Sequence, residues 1–144
     1  MAVRQLGQTV LIQGDPEAAI TYIEKAIRLD PRSPRLFVAY INLARSHLFL
    51  GRTDDAIDLY KKARALNPSI WYVRLGLAGV LGLRGDIDEA KSEISEALKL
   101  KPAVNSLARY RAISVTQGFG HPRYQELAER TAYTGLRRAG FPEE

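Results

Sequence analysis

The sequence predicts an all-α solenoid built from antiparallel helix pairs, and three observations carry that prediction. One turn recurs as Gly14-Asp15-Pro16-Glu17-Ala18-Ala19, Gly51-Arg52-Thr53-Asp54-Asp55-Ala56 and Gly85-Asp86-Ile87-Asp88-Glu89-Ala90. Each copy leads into an apolar-periodic stretch that closes on a proline, at Leu29-Asp30-Pro31, Leu66-Asn67-Pro68 and Leu100-Lys101-Pro102. The spacing is 34 residues both from Gly51 to Gly85 and from Pro68 to Pro102, while Pro31 to Pro68 is 37, one extra helical turn inserted near Pro34. No stretch alternates with period two for long enough to argue a strand.

Each part of the unit has a physical cause. Glycine at 14, 51 and 85 suits the left-handed residue that closes a helix, where a side chain would clash. Asp15, Thr53 and Asp86 are expected to cap the next helix by accepting from its free amides, with Pro16 at a first helical position and Glu89 completing a capping box with Asp86. Ala19 and Ala26, Ala56 and Ala63, and Ala90 and Ala97 lie seven residues apart on one face, where a neighbouring helix can approach closely. Ile23, Tyr60 and Ile94 fill the space between units, and the pairs Leu6-Gly7, Leu43-Ala44 and Leu77-Ala78 meet the partner helix. About eight helices follow, near 2–13, 16–29, 34–50, 53–66, 70–84, 87–100, 104–117 and 122–138. Ser33-Pro34 and Ser69 are expected as caps of the third and fifth, and His121 as the cap of the last.

These helices group into one domain over 1–144, with units of roughly 1–33, 34–68 and 69–102 and a degenerate capping pair over 103–140. The last pair has a longer turn, Gly118-Phe119-Gly120-His121-Pro122, and its closing helix carries Tyr124, Leu127, Ala128, Tyr133 and Leu136 at helical spacing. A final atypical unit is what a solenoid requires, since its outer face meets water. The other end has no such polar cap: Leu6, Val10 and Leu11 read as an open apolar face, as though Met1 began a segment cut from a longer stack.

Composition narrows the function. The chain has 144 residues, 46% hydrophobic and 26% charged, with no cysteine, which excludes disulfides and thiolate metal sites. The net charge of +5 is spread thinly. Counted over 1–36, 37–70, 71–104 and 105–144, bases and acids number five and four, five and three, five and five, and six and four. No segment forms a basic stripe able to neutralise a run of phosphates, so nucleic acid is not expected as a partner. The longest apolar run, Ile70 to Leu83, is broken by Arg74 and too short to cross a bilayer. With no signal-peptide core at the start, the chain reads as soluble and cytoplasmic.

No residue pattern argues catalysis. His47 falls where a helix faces its partner and reads as structural, and no carboxylate or second histidine stands at metal-ligand spacing around it or His121. Asp86-Ile87-Asp88 lacks the glycine and terminal glutamate of a calcium loop, and no serine has a nucleophile-elbow context. Gly76, Gly79 and Gly82 lack the lysine and Ser/Thr of a phosphate loop and lie inside a helix. Three interior glycines cost about 1 kcal/mol each relative to alanine, so something offsets them. They are expected either to line the inner side of the fifth helix beside Tyr72, leaving room for a ligand or incoming helix, or to pack closely on a neighbouring helix.

On these turns, alanines and prolines the chain resembles the tetratricopeptide repeat family across nearly its whole length. More narrowly, Asn67 to Ala90 with Trp71-Tyr72, Asn105-Ser106-Leu107-Ala108-Arg109, and the ending Gly135-Leu136-Arg137-Arg138-Ala139-Gly140-Phe141-Pro142-Glu143 resemble the C-terminal repeats of bacterial adenylate/guanylate cyclases. The first resemblance implies a right-handed superhelix whose concave groove, built from the first helix of each pair, binds a protein or peptide segment. By matching units, that groove includes Arg4, Gln8, Val38, Ile41, Asn42, Arg45, Phe49, Tyr72, Leu75 and Gly79, extended by Arg109 and Thr116. Chaperone adaptors of the family clamp a terminal carboxylate with lysine, asparagine and arginine. Arg4, Gln8 and Asn42 resemble part of that clamp, while Tyr72 and Gly76 stand where its last cations would be. Arg45 is the expected anchor, because a guanidinium pairs bidentately with a carboxylate. The second resemblance implies a regulatory region that follows a catalytic domain absent here. Neither implies an enzyme, a cofactor or a metal in this segment. The alternative is self-association, a homodimer through the apolar face of Leu6, Val10 and Leu11.

Overall fold

The computed structural model describes residues 2–144, so what was expected of Met1 lies outside the described residues. Six helices form three successive pairs: α1 (Val3–Ile12) with α2 (Pro16–Leu29), α3 (Leu36–Phe49) with α4 (Thr53–Leu66), and α5 (Trp71–Arg84) with α6 (Ile87–Leu100). Each pair stacks on the next through α2 against α3 and α4 against α5. Then come α7 (Leu107–Ser114), a kinked turn at Val115–Phe119 in which Gly118 holds a left-handed φ of 98°, and α8 (Pro122–Ala128). A π turn, Glu129–Tyr133, joins α8 to α9 (Thr134–Arg138) with helical dihedrals at both joints, so these three make one rod. Among the described residues there is no strand, and the architecture is the expected α-solenoid.

Local chemistry explains most boundaries. Gly14, Gly51 and Gly85 hold φ of 82°, 79° and 97°, the left-handed turn that ends each first helix. The Asp15 carboxylate accepts from the Ala18 amide at 3.2 Å, and His121 Nδ1 accepts from the Arg123 amide at 3.1 Å. Other expected caps are corrected. Thr53 is already the first residue of α4, after Arg52, and α3 and α5 start after Arg35 and Ile70 instead of at Ser33-Pro34 and Ser69. Ser33 Oγ accepts from the Arg35 amide, and the helix starts two residues later than expected. Asp86 stands at the start of α6 without capping it, because its carboxylate takes Arg84 Nε at 2.5 Å, while Glu89 pairs with Lys61 at 3.4 Å instead of closing a box. A guanidinium or ammonium offers a carboxylate a stronger bond than an amide does.

The small residues lie where the repeat requires them: Ala19, Ala56, Ala63 and Ala90 are fully buried, with Ile23, Tyr60 and Ile94 between units. One buried charge, Glu93, ties three helices together by taking Arg64 of α4 and Arg74 of α5 at 3.1 Å from the second oxygen. The open apolar face expected at the first helix is also corrected, since Leu11 is fully buried and Leu6 and Val10 are half-buried. Leu11 turns into the core at the end of α1, whose partner α2 already covers it.

The closing segment does something the repeat does not foretell. The rod crosses the inner face formed by α1, α3 and α5. It starts with Arg123 packed on Gly14 and ends with Arg138 donating to the Leu83 carbonyl at 3.1 Å. Over α5 the contact is backbone on backbone. A Cβ built on Gly135 would stand 1.7 Å from the Gly79 carbonyl oxygen, and one on Gly82 would stand 2.0 Å from that of Gly135. The Thr134 hydroxyl donates to the Glu129 carbonyl at 2.7 Å, five residues back, satisfying an acceptor in the widened turn. Pro142 and Glu143 return their carbonyls to the Leu107 and Ala108 amides at 2.8 and 2.9 Å, closing the arm on itself.

Gly135→Val is expected to undock the rod while α1–α6 keep their helices. The readouts are new protease cleavage within 115–144 and a loss of about 3 kcal/mol in urea unfolding, the upper end of ordinary overpacking.

Candidate functional site

The inner face and the arm that crosses it enclose a cavity of about 220 Å³. Its floor comes from first helices: Asn42, Arg45 and Phe49 of α3, and Trp71 and Tyr72 of α5, with Tyr60 reaching in from α4. Its roof comes from Tyr110, Phe119, Tyr124 and Tyr133 of the closing segment. Five of the chain's seven tyrosines line it. The rings form two contacting groups. Phe49 meets Tyr124 edge-on at 5.1 Å, Tyr124 meets Phe119 at 5.1 Å, and Tyr110 bridges Trp71 and Tyr133 at 6.1 Å each. Such pairs contribute about 0.5–1.5 kcal/mol each beyond their buried area, so the aromatic set both walls the cavity and holds the arm down.

Arg45 is the one cation at the cavity's centre, with Arg35 exposed at the edge. Its guanidinium donates to Asn42 Oδ1 at 3.3 Å and lies 4.9 Å over the Phe119 ring. Among the described residues no aspartate or glutamate lines the cavity. Burial by itself would weaken the guanidinium's hold on its proton, but the phenolic oxygens of Tyr124, Tyr60 and Tyr110 more than offset that, and Arg45 stays charged. The phenols respond in the opposite sense. Burial pushes Tyr60, Tyr110 and Tyr133 upward, and holds Tyr124 at about 12. Asn42 is nearly fully buried and kept in place by the backbone bond of the Ser46 hydroxyl to the Asn42 carbonyl at 2.8 Å.

The expected groove residues divide into three sets. Asn42, Arg45, Phe49 and Tyr72 come together around the cavity, with Val38 and Ile41 beside them and Gln8 at its edge. Arg4 stands farther out, in a shallow depression shared with Gln5, Gln8 and Arg35. Leu75, Gly79 and Arg109 are corrected. Leu75 is buried in the core, and Gly79 is covered by the backbone of Ala132, so the close-packing alternative holds for the glycines. Gly76 likewise lies under the Tyr60 ring. Arg109 is exposed, because α7 turns its Tyr110 and Ile113 toward the cavity and leaves Arg109 outside; Thr116 is exposed too. The roof aromatics were missed as site residues, although Tyr124 and Tyr133 at helical spacing were the available signal.

Elsewhere the chemistry is structural. His47 is half-buried with no hydrogen-bond partner on Nδ1, and burial lowers its proton affinity, with Asp55 opposing and Arg52 assisting. Among the described residues no group of three or more His, Asp or Glu side chains is placed to hold a metal ion, and no helix is long and apolar enough to cross a membrane.

Two overlapping family profiles, both described as tetratricopeptide repeat, match residues 1–69 and 41–105. A tetratricopeptide repeat and J domain-containing co-chaperone of Fusarium oxysporum f. sp. lycopersici is 33% identical over 92 residues, 64% of this chain and 17% of that protein. U-box domain-containing protein 70 of Oryza sativa subsp. japonica is 31% identical over 117 residues, 78% of this chain and 14% of that protein. The chain therefore spans under a fifth of the length of either curated relative. Among solved structures, the first such domain of Spaghetti (RPAP3), bound to an HSP90 peptide, superposes with a TM-score of 0.65 at 23% identity, covering 80% of this chain and 88% of that one. MamA superposes with the same score and identity over 96% of this chain and 77% of that one. At that identity both show a shared fold.

The buried phenols set an alkaline limit on the arm. Tyr124 holds its proton more tightly in the folded chain than in the unfolded one, where it leaves near 10. Its contribution is therefore complete below pH 10 and is lost as pH rises toward 12, a total of about 3 kcal/mol at about 1.4 kcal/mol per unit. Urea midpoints measured from pH 8 to 12 are expected to fall above pH 10, and Tyr124→Phe to flatten that fall.

Proposed function

The chain belongs to the tetratricopeptide repeat family, whose fold is a non-enzymatic protein-interaction module, and from that premise we propose that its inner face receives a segment of a partner protein. The observation that supports this is Arg45, a charged guanidinium beside Asn42 facing a cavity that no carboxylate lines. An amphipathic helix or extended segment carrying one acidic residue suits that arrangement: the carboxylate goes to Arg45, and apolar side chains go among Phe49, Trp71 and Tyr72. Gln8, Arg35 and Arg4 line the part of the face that the rod leaves uncovered, and a segment enters there. A solved protein of the same fold is bound to a peptide. Self-association through the first helix has less in its favour, because Leu11 is fully buried.

The finer reading is that this segment is the cytoplasmic regulatory region of a bacterial adenylate cyclase, and its partner surface is the catalytic region of the same polypeptide. It rests on the Trp71-Tyr72 stretch, the Asn105 to Arg109 motif and the ending from Gly135. Adding residues 1–144 to an isolated cyclase catalytic domain tests it. A change in cyclase rate supports the reading, and an unchanged rate with no binding removes it.

The groove itself is tested by charge reversal. Against an array of amphipathic peptides bearing a single glutamate, Arg45→Glu is expected to weaken binding by about tenfold or more, the worth of a charge-assisted bond. Replacing the peptide's glutamate with lysine is expected to restore binding to that variant. Equal binding by both chains would show that Arg45 anchors nothing.

A further inference from the structure

The cavity around Arg45 has properties that a groove for a long segment does not need. At about 220 Å³ it exceeds the roughly 150 Å³ that suffices to hold one benzene ring, and is far below the volume of a peptide helix. Eight of its lining residues carry aromatic rings, and Asn42 and Tyr60 flank the guanidinium that stands among them. A single ring bearing one carboxylate suits those rings and that guanidinium. The walls also come from two parts of the chain. Phe49 and Trp71 belong to the solenoid, while Tyr110, Phe119 and Tyr124 belong to the arm, so the cavity exists only while the arm is docked.

We propose that this cavity binds a small monocarboxylic acid with a single ring, its carboxylate on Arg45 and Asn42 and its ring among Trp71, Tyr110 and Phe119. The ligand touches both halves of the cavity and is bound only by the docked state. By linkage it then holds the arm across the inner face and opposes entry of any partner segment at Arg45. The inference concerns the cavity and not the partner. A chain that binds the acid and no peptide keeps this proposal and loses the one above, and the reverse result does the opposite.

Benzoate and phenylacetate are the probes, and benzamide is the neutral control of the same shape. Titrated calorimetrically into the full chain, an acid is expected to saturate and to bind at least about tenfold more tightly than benzamide, as a charge-assisted pair implies. At saturation it is expected to raise Tm by a few degrees and slow protease cleavage near Gly118. Arg45→Gln is expected to abolish the difference between acid and amide. If neither acid saturates, if benzamide binds as well as benzoate, or if Arg45→Gln keeps the preference, the proposal is overturned. Should Arg45→Gln fail to fold, the comparison of acid with amide on the native chain decides alone.

Discussion

Two helices cannot bring their backbones together unless both give up their side chains at the crossing, and α5 meets α9 under that constraint. Gly79 and Gly82 on one side and Gly135 on the other leave the carbonyl oxygens of each helix where the other's Cβ would be. Glycine inside a helix costs about 1 kcal/mol relative to alanine, and α5 carries three. Close packing over a long crossing, together with the aromatic contacts that follow from it, offsets that cost. Once the rod is fixed to α5, its other residues have no freedom. Tyr124 must lie against Phe49, Tyr133 against Tyr110, and Arg123 against the turn at Gly14.

The site is a consequence of that crossing. An inner face of three first helices is open in a bare solenoid, and its aromatic residues would lie in water. The arm covers the ends of those helices toward the glycine turns and leaves the other ends accessible. What remains between floor and roof is a cavity with one guanidinium inside. An arginine so placed is satisfied in part by Asn42 and by the face of Phe119, neither of which neutralises it. Burying a charge without a counter-charge is unfavourable, and that residual demand is the strongest chemical feature of the molecule. By contrast Glu93, more deeply buried, has two arginines and serves as a clip between helices.

Legibility varied with the range of the interactions involved. The repeating turns, the left-handed glycines and the buried alanines are set by contacts within a few residues or one repeat, and all were readable. Caps were readable where no charged competitor stood near, as at Asp15, and misread where one did, as at Asp86, whose carboxylate goes to Arg84. Among groove residues, Asn42, Arg45, Phe49 and Tyr72 follow from their position on a first helix. Arg109 was misplaced because matching it to the repeat assumed that α7 continues the stack, whereas the arm turns that helix so that Tyr110 faces inward.

The sequence alone determined that the chain is a helical-pair solenoid, where its turns fall, and which face of α3 and α5 looks inward, because periodicity and capping are local properties. Tertiary structure alone decided where the arm goes. The three glycines of α5 were compatible with an open face or a covered one, and the difference lies in Gly135, more than fifty residues away. Backbone contact at that distance leaves no periodic trace, since small residues are needed on both helices and neither pattern names the other. The cavity, its aromatic roof and the solitary charge of Arg45 all follow from that pairing.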